Sequence, residues 1–168
     1  MQKNKLTVLN YSSGLSHYFD SINRQWLEEM FVVEPIDDKV LKDPQTYIIE
    51  PGGAIWFVKH ETLGIVGTCA LLNKGDGYFE LTKMGVLANC RGLKIGETLL
   101  QHVLEFCSKS SLPRVFLLTS TKCKAAIHLY EKLGFTHSAF IMQKFGSSYE
   151  RCDVAMELSK ETQLRETR

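Results

Sequence analysis

Residues 86–97 carry the most telling chemistry in this chain. A run with strand character ends there, the loop Arg91-Gly92-Leu93-Lys94-Ile95-Gly96 follows, and an amphipathic helical pattern starts at once. Such a turn gathers the unpaired N–H groups of the first helical turn, and the positive end of the helix dipole, at one point. Phosphate and pyrophosphate groups bind at such points. Arg91 and Lys94 add two cations beside it. Thr98, in the first turn, either adds a hydroxyl to the phosphate or is a plain surface threonine. The ligand these residues suit carries phosphate at one end, and its reactive group is to be sought at the other.

The elements that hold this loop follow from the spacing of apolar residues. Residues 5–10 read as a strand. Ser16 stands as the N-cap of a helix over 17–31, whose Phe19, Ile22, Trp26 and Met30 share a face. A short helix over 36–41 ends at Asp43-Pro44, because the residue before proline is pushed out of the helical region. Strands are expected over 54–60, 65–72 and 78–87, with turns at 61–64 and at Gly75-Asp76-Gly77. A helix over 95–108 buries Leu99, Leu100, Val103, Leu104 and Cys107. A strand over 115–119 leads to a helix over 125–133 closed by Gly134, and strands over 135–141 and 153–158 finish the pattern. The order implies an α+β fold: a single mixed, mostly antiparallel sheet flanked by helices on both faces. One domain spanning 1–168 is expected, with a polar tail that frays from about 159.

Bulk properties narrow the function classes. The chain has 168 residues, 44% of them hydrophobic and 23% charged, as in ordinary soluble domains. A net charge of +1 gives no reason to expect nucleic acid or an anionic membrane as partner. The N-terminus has no sustained apolar run, and no stretch approaches the ~20 apolar residues that span a bilayer. The five cysteines are widely spaced and odd in number, which argues against a disulfide framework and a zinc site. Free thiols fit a cytoplasmic location. The histidines show no metal-ligand spacing, so no metal is expected.

The loop from Arg91 to Gly96, followed after the next strand by Leu129-Tyr130-Glu131-Lys132-Leu133-Gly134-Phe135, resembles the GNAT superfamily of acyl-CoA-dependent N-acetyltransferases. The resemblance is clearest over 78–135. It implies acetyl-CoA as acyl donor, with its pyrophosphate on Arg91, Gly92, Leu93, Lys94, Ile95, Gly96, Glu97 and Thr98. It also implies a pantetheine arm laid along the backbone of Met84, Gly85 and Val86, like a strand added to a splayed edge. Side chains are expected to matter little there. Two positions depart from the family pattern. Lys94 stands where glycine is usual, and is expected to take a helix-compatible φ and turn its cation toward the phosphate. Cys123 stands where an asparagine often holds the cofactor arm; cysteine bonds weakly, and Lys122 and Lys124 can compensate.

By the same resemblance Glu80 is the general base. A lysine-like ammonium with a pKa of ~10.4 is neutral in only about one molecule in a thousand near pH 7.4, so a carboxylate acting through water has work to do. The competing reading of Glu80 is a carboxylate on a solvated strand face. Tyr130 is the general acid for the departing thiolate: the mismatch between ~8.5 and ~10 costs only ~2 kcal/mol. Its competing reading is a core tyrosine. Trp26, Phe31 and Glu34 fall where the first helices of the family wall the acceptor pocket. Packing competes as an explanation for the two aromatics, while Glu34 suits a cationic amine.

The expected activity is therefore transfer of an acetyl group from acetyl-CoA to a primary amine, on a small molecule or a peptide. Direct attack in a ternary complex follows from the lack of a histidine placed to activate Cys123 as a nucleophile. The rival is a non-catalytic module that binds acyl-CoA and senses it, which Lys94 and Cys123 keep open. A homodimer is a family-level expectation. Acceptor identity resides in the first helices and in 143–151, which carry no readable code.

Overall fold

The computed structural model describes residues 5–159. A seven-stranded sheet runs in the order β1-β2-β3-β4-β5-β7-β6. The strands are β1 (Leu6–Asn10), β2 (Ala54–His60), β3 (Gly64–Gly75), β4 (Tyr78–Val86), β5 (Arg114–Thr119), β6 (Phe135–His137) and β7 (Val154–Leu158). Only β4 and β5 run parallel; every other neighbouring pair is antiparallel. The expected mixed, mostly antiparallel sheet is what the chain forms.

Strand alternation divides the core. On one face Ile55 and Phe57 of β2 pack with Phe19, Ile22 and Leu27 of α1 (Ser16–Met30) and with Val40 and Leu41 of α2 (Pro35–Lys42). On the other, Trp56 and Val58 pack with Leu99, Leu100, Val103 and Leu104 of α3 (Ile95–Lys109). Tyr130 of α4 (Lys124–Lys132) joins this second cluster. Phe116 and Ala155 pack with Ile141 of α5 (Ala139–Phe145).

Three expectations give way. Ser16 is not an N-cap: a 3-10 turn at Ser13–Leu15 feeds α1, and the Ser16 hydroxyl donates back to the Ser13 carbonyl. Residues 135–141 are not one strand. β6 stops at His137, and Ser138 then caps α5 by accepting from the Ile141 N–H. Ser159 does not fray, because its N–H donates to the Gly134 carbonyl; the rest of the tail, 160–168, lies outside the described residues. A five-residue π-helix, Gln45–Ile49, was not anticipated.

The feature that positions the site is where β4 and β5 part. Their ladder covers only Tyr78–Leu81 against Arg114–Leu117, although β4 continues to Val86 and β5 to Thr119. On its other side β4 shifts register against β3, between the Ala70–Thr82 and Thr68–Gly85 pairs. Lys83 lies in that irregularity with a φ of 53°. A bulge of this kind bends its strand, which turns the end of β4 away from β5.

Candidate active site

The parting strands open a cleft of about 320 Å³, within the range of small-ligand pockets. Thr82, Lys83, Met84, Gly85 and Val86 form one wall, and Leu117, Leu118, Thr119 and Ser120 the other. Trp26, Met30 and Phe31 close it from the end of α1; Lys122, Cys123, Lys124 and Tyr130 come from the β5–α4 turn and α4; Tyr149, Arg151 and Cys152 come from the segment before β7. Among the described residues five lysines and arginines line it, and no aspartate or glutamate does.

Of the residues singled out by sequence, Trp26, Phe31, Met84, Gly85, Val86, Arg91, Cys123 and Tyr130 meet in this cleft. Gly92, Leu93, Lys94, Ile95, Gly96, Glu97 and Thr98 do not line it; they carry the chain from Arg91 into α3. Ile95 is a core residue. Glu97 is paired with Lys132 at 2.7 Å, which ties α3 to α4. No side chain caps α3, and the first bond of its first turn runs from the Thr98 N–H to the Lys94 carbonyl. Lys94 does not take the helix-compatible φ expected of it: it is left-handed, with φ 60°. The chain must reverse there to enter the helix, which is why glycine suits the position.

Gly85 corrects the view that side chains are immaterial along this strand. A Cβ on Gly85 would stand 2.8 Å from the Trp26 ring, so only glycine lets Trp26 lie on the β4 backbone. The Trp26 indole N–H donates to Asn23, and Phe31 meets the Trp26 ring edge-on.

Tyr130 is buried and lines the cleft near the C-terminal end of α4. Burial pushes its phenol up, so it stays protonated at neutral pH. Glu80 is not on a solvated face. It is 1% exposed and its Oε2 accepts from the Tyr149 hydroxyl at 3.0 Å. Its Oε1 has no hydrogen-bond partner among the described residues. Burial raises the Glu80 acid above the usual carboxylate range, against the pull of Lys83, Lys74, Tyr149 and Thr82. Glu80 does not itself reach the cleft wall; Tyr149, bonded to it, does.

Glu34 does not line the cleft either. Its carboxylate accepts from the Glu150 N–H and from Arg151, both at 2.9 Å, and forms a capping box with Asp37 at the start of α2. It anchors the 149–151 segment instead of facing an incoming amine. The same segment is held by Asp37, which takes two bonds from Arg151, at 2.6 and 2.8 Å, and one from Lys83 at 2.7 Å. Burial pushes the Asp37 acid up, but Arg151 and Lys83 together outweigh it and hold the acid at about 2. The sequence reading missed Tyr149, Arg151, Lys83 and Asp37. They are distant in the chain, and the register of β4 and the course of the segment before β7 decide that they meet.

Comparison with known proteins follows the same lines. The Acetyltransferase (GNAT) family matches residues 18–135. N-acetylaspartate synthetase of Xenopus tropicalis is 37% identical over 95 residues, 55% of this chain and 34% of that protein. The uncharacterized N-acetyltransferase YjgM of Escherichia coli K12 is 32% identical over 109 residues, 64% of each chain. The aligned part of this chain thus spans about a third to two thirds of those relatives. Among solved structures, a GNAT-family acetyltransferase of Staphylococcus aureus Mu50 superposes with a TM-score of 0.80 at 21% identity, covering 92% of this chain and 98% of the other. A spermidine N-acetyltransferase of Vibrio cholerae, in complex with CoA and spermine, superposes with a TM-score of 0.70 at 17% identity, covering 95% and 98%.

Proposed function

This chain belongs to the GNAT family of acetyltransferases, and from that premise we propose that it transfers an acetyl group from acetyl-CoA to a primary amine by direct attack in a ternary complex. The observation that supports the reading most is the wedge between β4 and β5. Its β4 wall has no β5 partner beyond Leu81, which leaves backbone groups of 82–86 for an extended ligand arm. Arg91 and Lys124 on the cleft wall suit a donor that bears phosphates. Arg91 and the uncapped start of α3 would hold the diphosphate. Met84, Gly85 and Val86 would hold the arm, and the Val86 N–H would polarise the thioester carbonyl. The donor supplies an activated acyl carbon; the protein's part is to aim it and to move protons.

Glu80 is the general base in this reading, and it acts through Tyr149. The phenol takes a proton from the incoming ammonium while passing its own to Glu80 Oε2. A carboxylate whose acid is raised by burial is a better match for that task than an exposed one. Tyr130, protonated at neutral pH, hands its proton to the departing sulfur; burial makes the phenol a weaker acid, so the transfer costs more than the ~2 kcal/mol of an ordinary tyrosine and rests on positioning. The second proton lost by the amine restores that balance.

The test mixes protein, acetyl-CoA and a panel of primary amines and follows free thiol. Amine-dependent release is expected. Binding of CoA with no release on any amine would overturn the transfer and favour a sensor. Tyr130→Phe is expected to lower kcat roughly 10²-fold while the KM for acetyl-CoA stays within about twofold, the pattern of a lost transition-state interaction.

A further inference from the structure

The charges around the cleft are sorted by sign. Asp37 and Glu34 balance Lys83 and Arg151 one for one, but both carboxylates stay out of the cleft wall while both cations line it. Glu80, a third acid nearby and a buried one, is also out of the wall. Lys122 and Lys124 line the cleft with no carboxylate partner among the described residues. Lys122 is exposed, and its side chain leans over the cleft wall. Its Nζ stands 5.3 Å from the centre of the Phe31 ring, and the Arg151 guanidinium stands 5.8 Å from the same ring. The two cations thus converge on the aromatic wall that Phe31 and Trp26 build at the end of α1. Arg151 is fixed there by its bonds to Asp37 and Glu34, and Lys122 has donors to spare.

We infer that the acceptor is an amine that also carries a carboxylate, of the amino-acid type, and that Lys122 binds that carboxylate beside Phe31 with Arg151 as the fixed second cation. This deepens the transfer reading above and rests on it. A polyamine would bring several positive charges into a wall that offers no negative one, and like charges in a partly desolvated site repel strongly. A carboxylate would meet an ammonium with free donors. The amine at the other end of such an acceptor is then free to face Tyr149. The carboxylate could belong to a free amino acid or to a short peptide with a free amino terminus; the recognition chemistry is shared.

The experiment measures acetylation of matched acceptors by the full chain: free amino acids, including aspartate, glycine and 4-aminobutyrate, each against its primary amide; one dipeptide with and without a carboxylate; and spermidine. The acids are expected to show kcat/KM at least tenfold above their amides, with spermidine poorest. The dipeptide arm separates the two sources of the carboxylate. Lys122→Gln is expected to raise the KM for the acids about tenfold, in line with a lost charge-assisted hydrogen bond. It should leave the KM for the amides and for acetyl-CoA within about twofold, and Lys122→Arg should retain most of the acid preference. Equal rates for acids and amides, a preference for spermidine, or a Lys122→Gln effect confined to acetyl-CoA would each overturn this inference and leave the transfer intact. No thiol release with any acceptor would overturn both.

Discussion

Tyr149 is the residue through which Glu80 meets the cleft, and a pH profile can read that link. The base proposed above must be ionised to act, so kcat/KM should rise with pH through the Glu80 pKa, on a limb displaced above the ordinary value of 4.5. The Tyr149 bond favours the ionised form. Its loss in Tyr149→Phe should therefore move the limb to higher pH and lower the plateau, and Glu80→Gln should abolish the limb; a limb unmoved by Tyr149→Phe would remove the phenol from the path. Lys94 permits a second residue-level test. A left-handed φ costs a non-glycine residue ~1–2 kcal/mol, and glycine returns ~0.5–1 kcal/mol of that as backbone entropy. Lys94→Gly should then be more stable by on the order of 0.5 kcal/mol, a Tm gain of roughly 1–2 °C for a chain of this size. If the cation grips a phosphate, calorimetry should show the same variant binding CoA several-fold more weakly and with a shallower salt dependence. The sequence held a sign of this backbone reversal that went unused: the family places glycine at that position. Glu80 was legible as a residue of interest, but not as a buried one, because the phenol that covers it comes from 69 positions away.

Elements bring together what the chain separates, and α2 with β4 is the clearest case. Asp37 at the start of α2 and Lys83 in the β4 irregularity form an ion pair that is nearly closed to solvent. Arg151 completes it from the segment before β7. The folded Asp37 acid sits at about 2, below its ordinary 3.8, so its contribution is complete above about pH 4 and is lost as pH falls toward 2. That contribution is on the order of 2 kcal/mol. Asp37→Asn should cost about 3–5 kcal/mol in a urea melt at pH 7, since it removes the hydrogen-bonded counter-charge of a buried lysine, and should flatten the acid dependence in that window. The principal helices and strands were readable because their apolar periodicity is strong. Residues 135–141 were not: Phe135 and Ile141 look strand-like, while the capping Ser138 and the run Ala139-Phe140-Ile141-Met142-Gln143-Lys144 favour a helix, a local choice that tertiary packing of Ile141 settles.

At the scale of the whole molecule, a net charge of +1 conceals an uneven distribution. The balance is kept by acids that lie outside the cleft, so composition could exclude a polyanionic partner for the whole surface and still say nothing of the wall that matters. The unpaired stretch of β4 has a consequence for the empty protein. Beyond Leu81 the sheet lacks rungs at its centre, so its two halves are joined there by packing alone. A donor laid in the gap would supply the missing rungs. Amides of residues 82–86 should exchange hydrogen for deuterium more slowly once acetyl-CoA is added, and a hundredfold excess over Kd should add about 2.7 kcal/mol to global stability. The acyl donor is in that sense also a stitch. A cell that runs short of it would hold this protein in its more perishable form, and the lifetime of the enzyme would track the supply of the molecule it consumes.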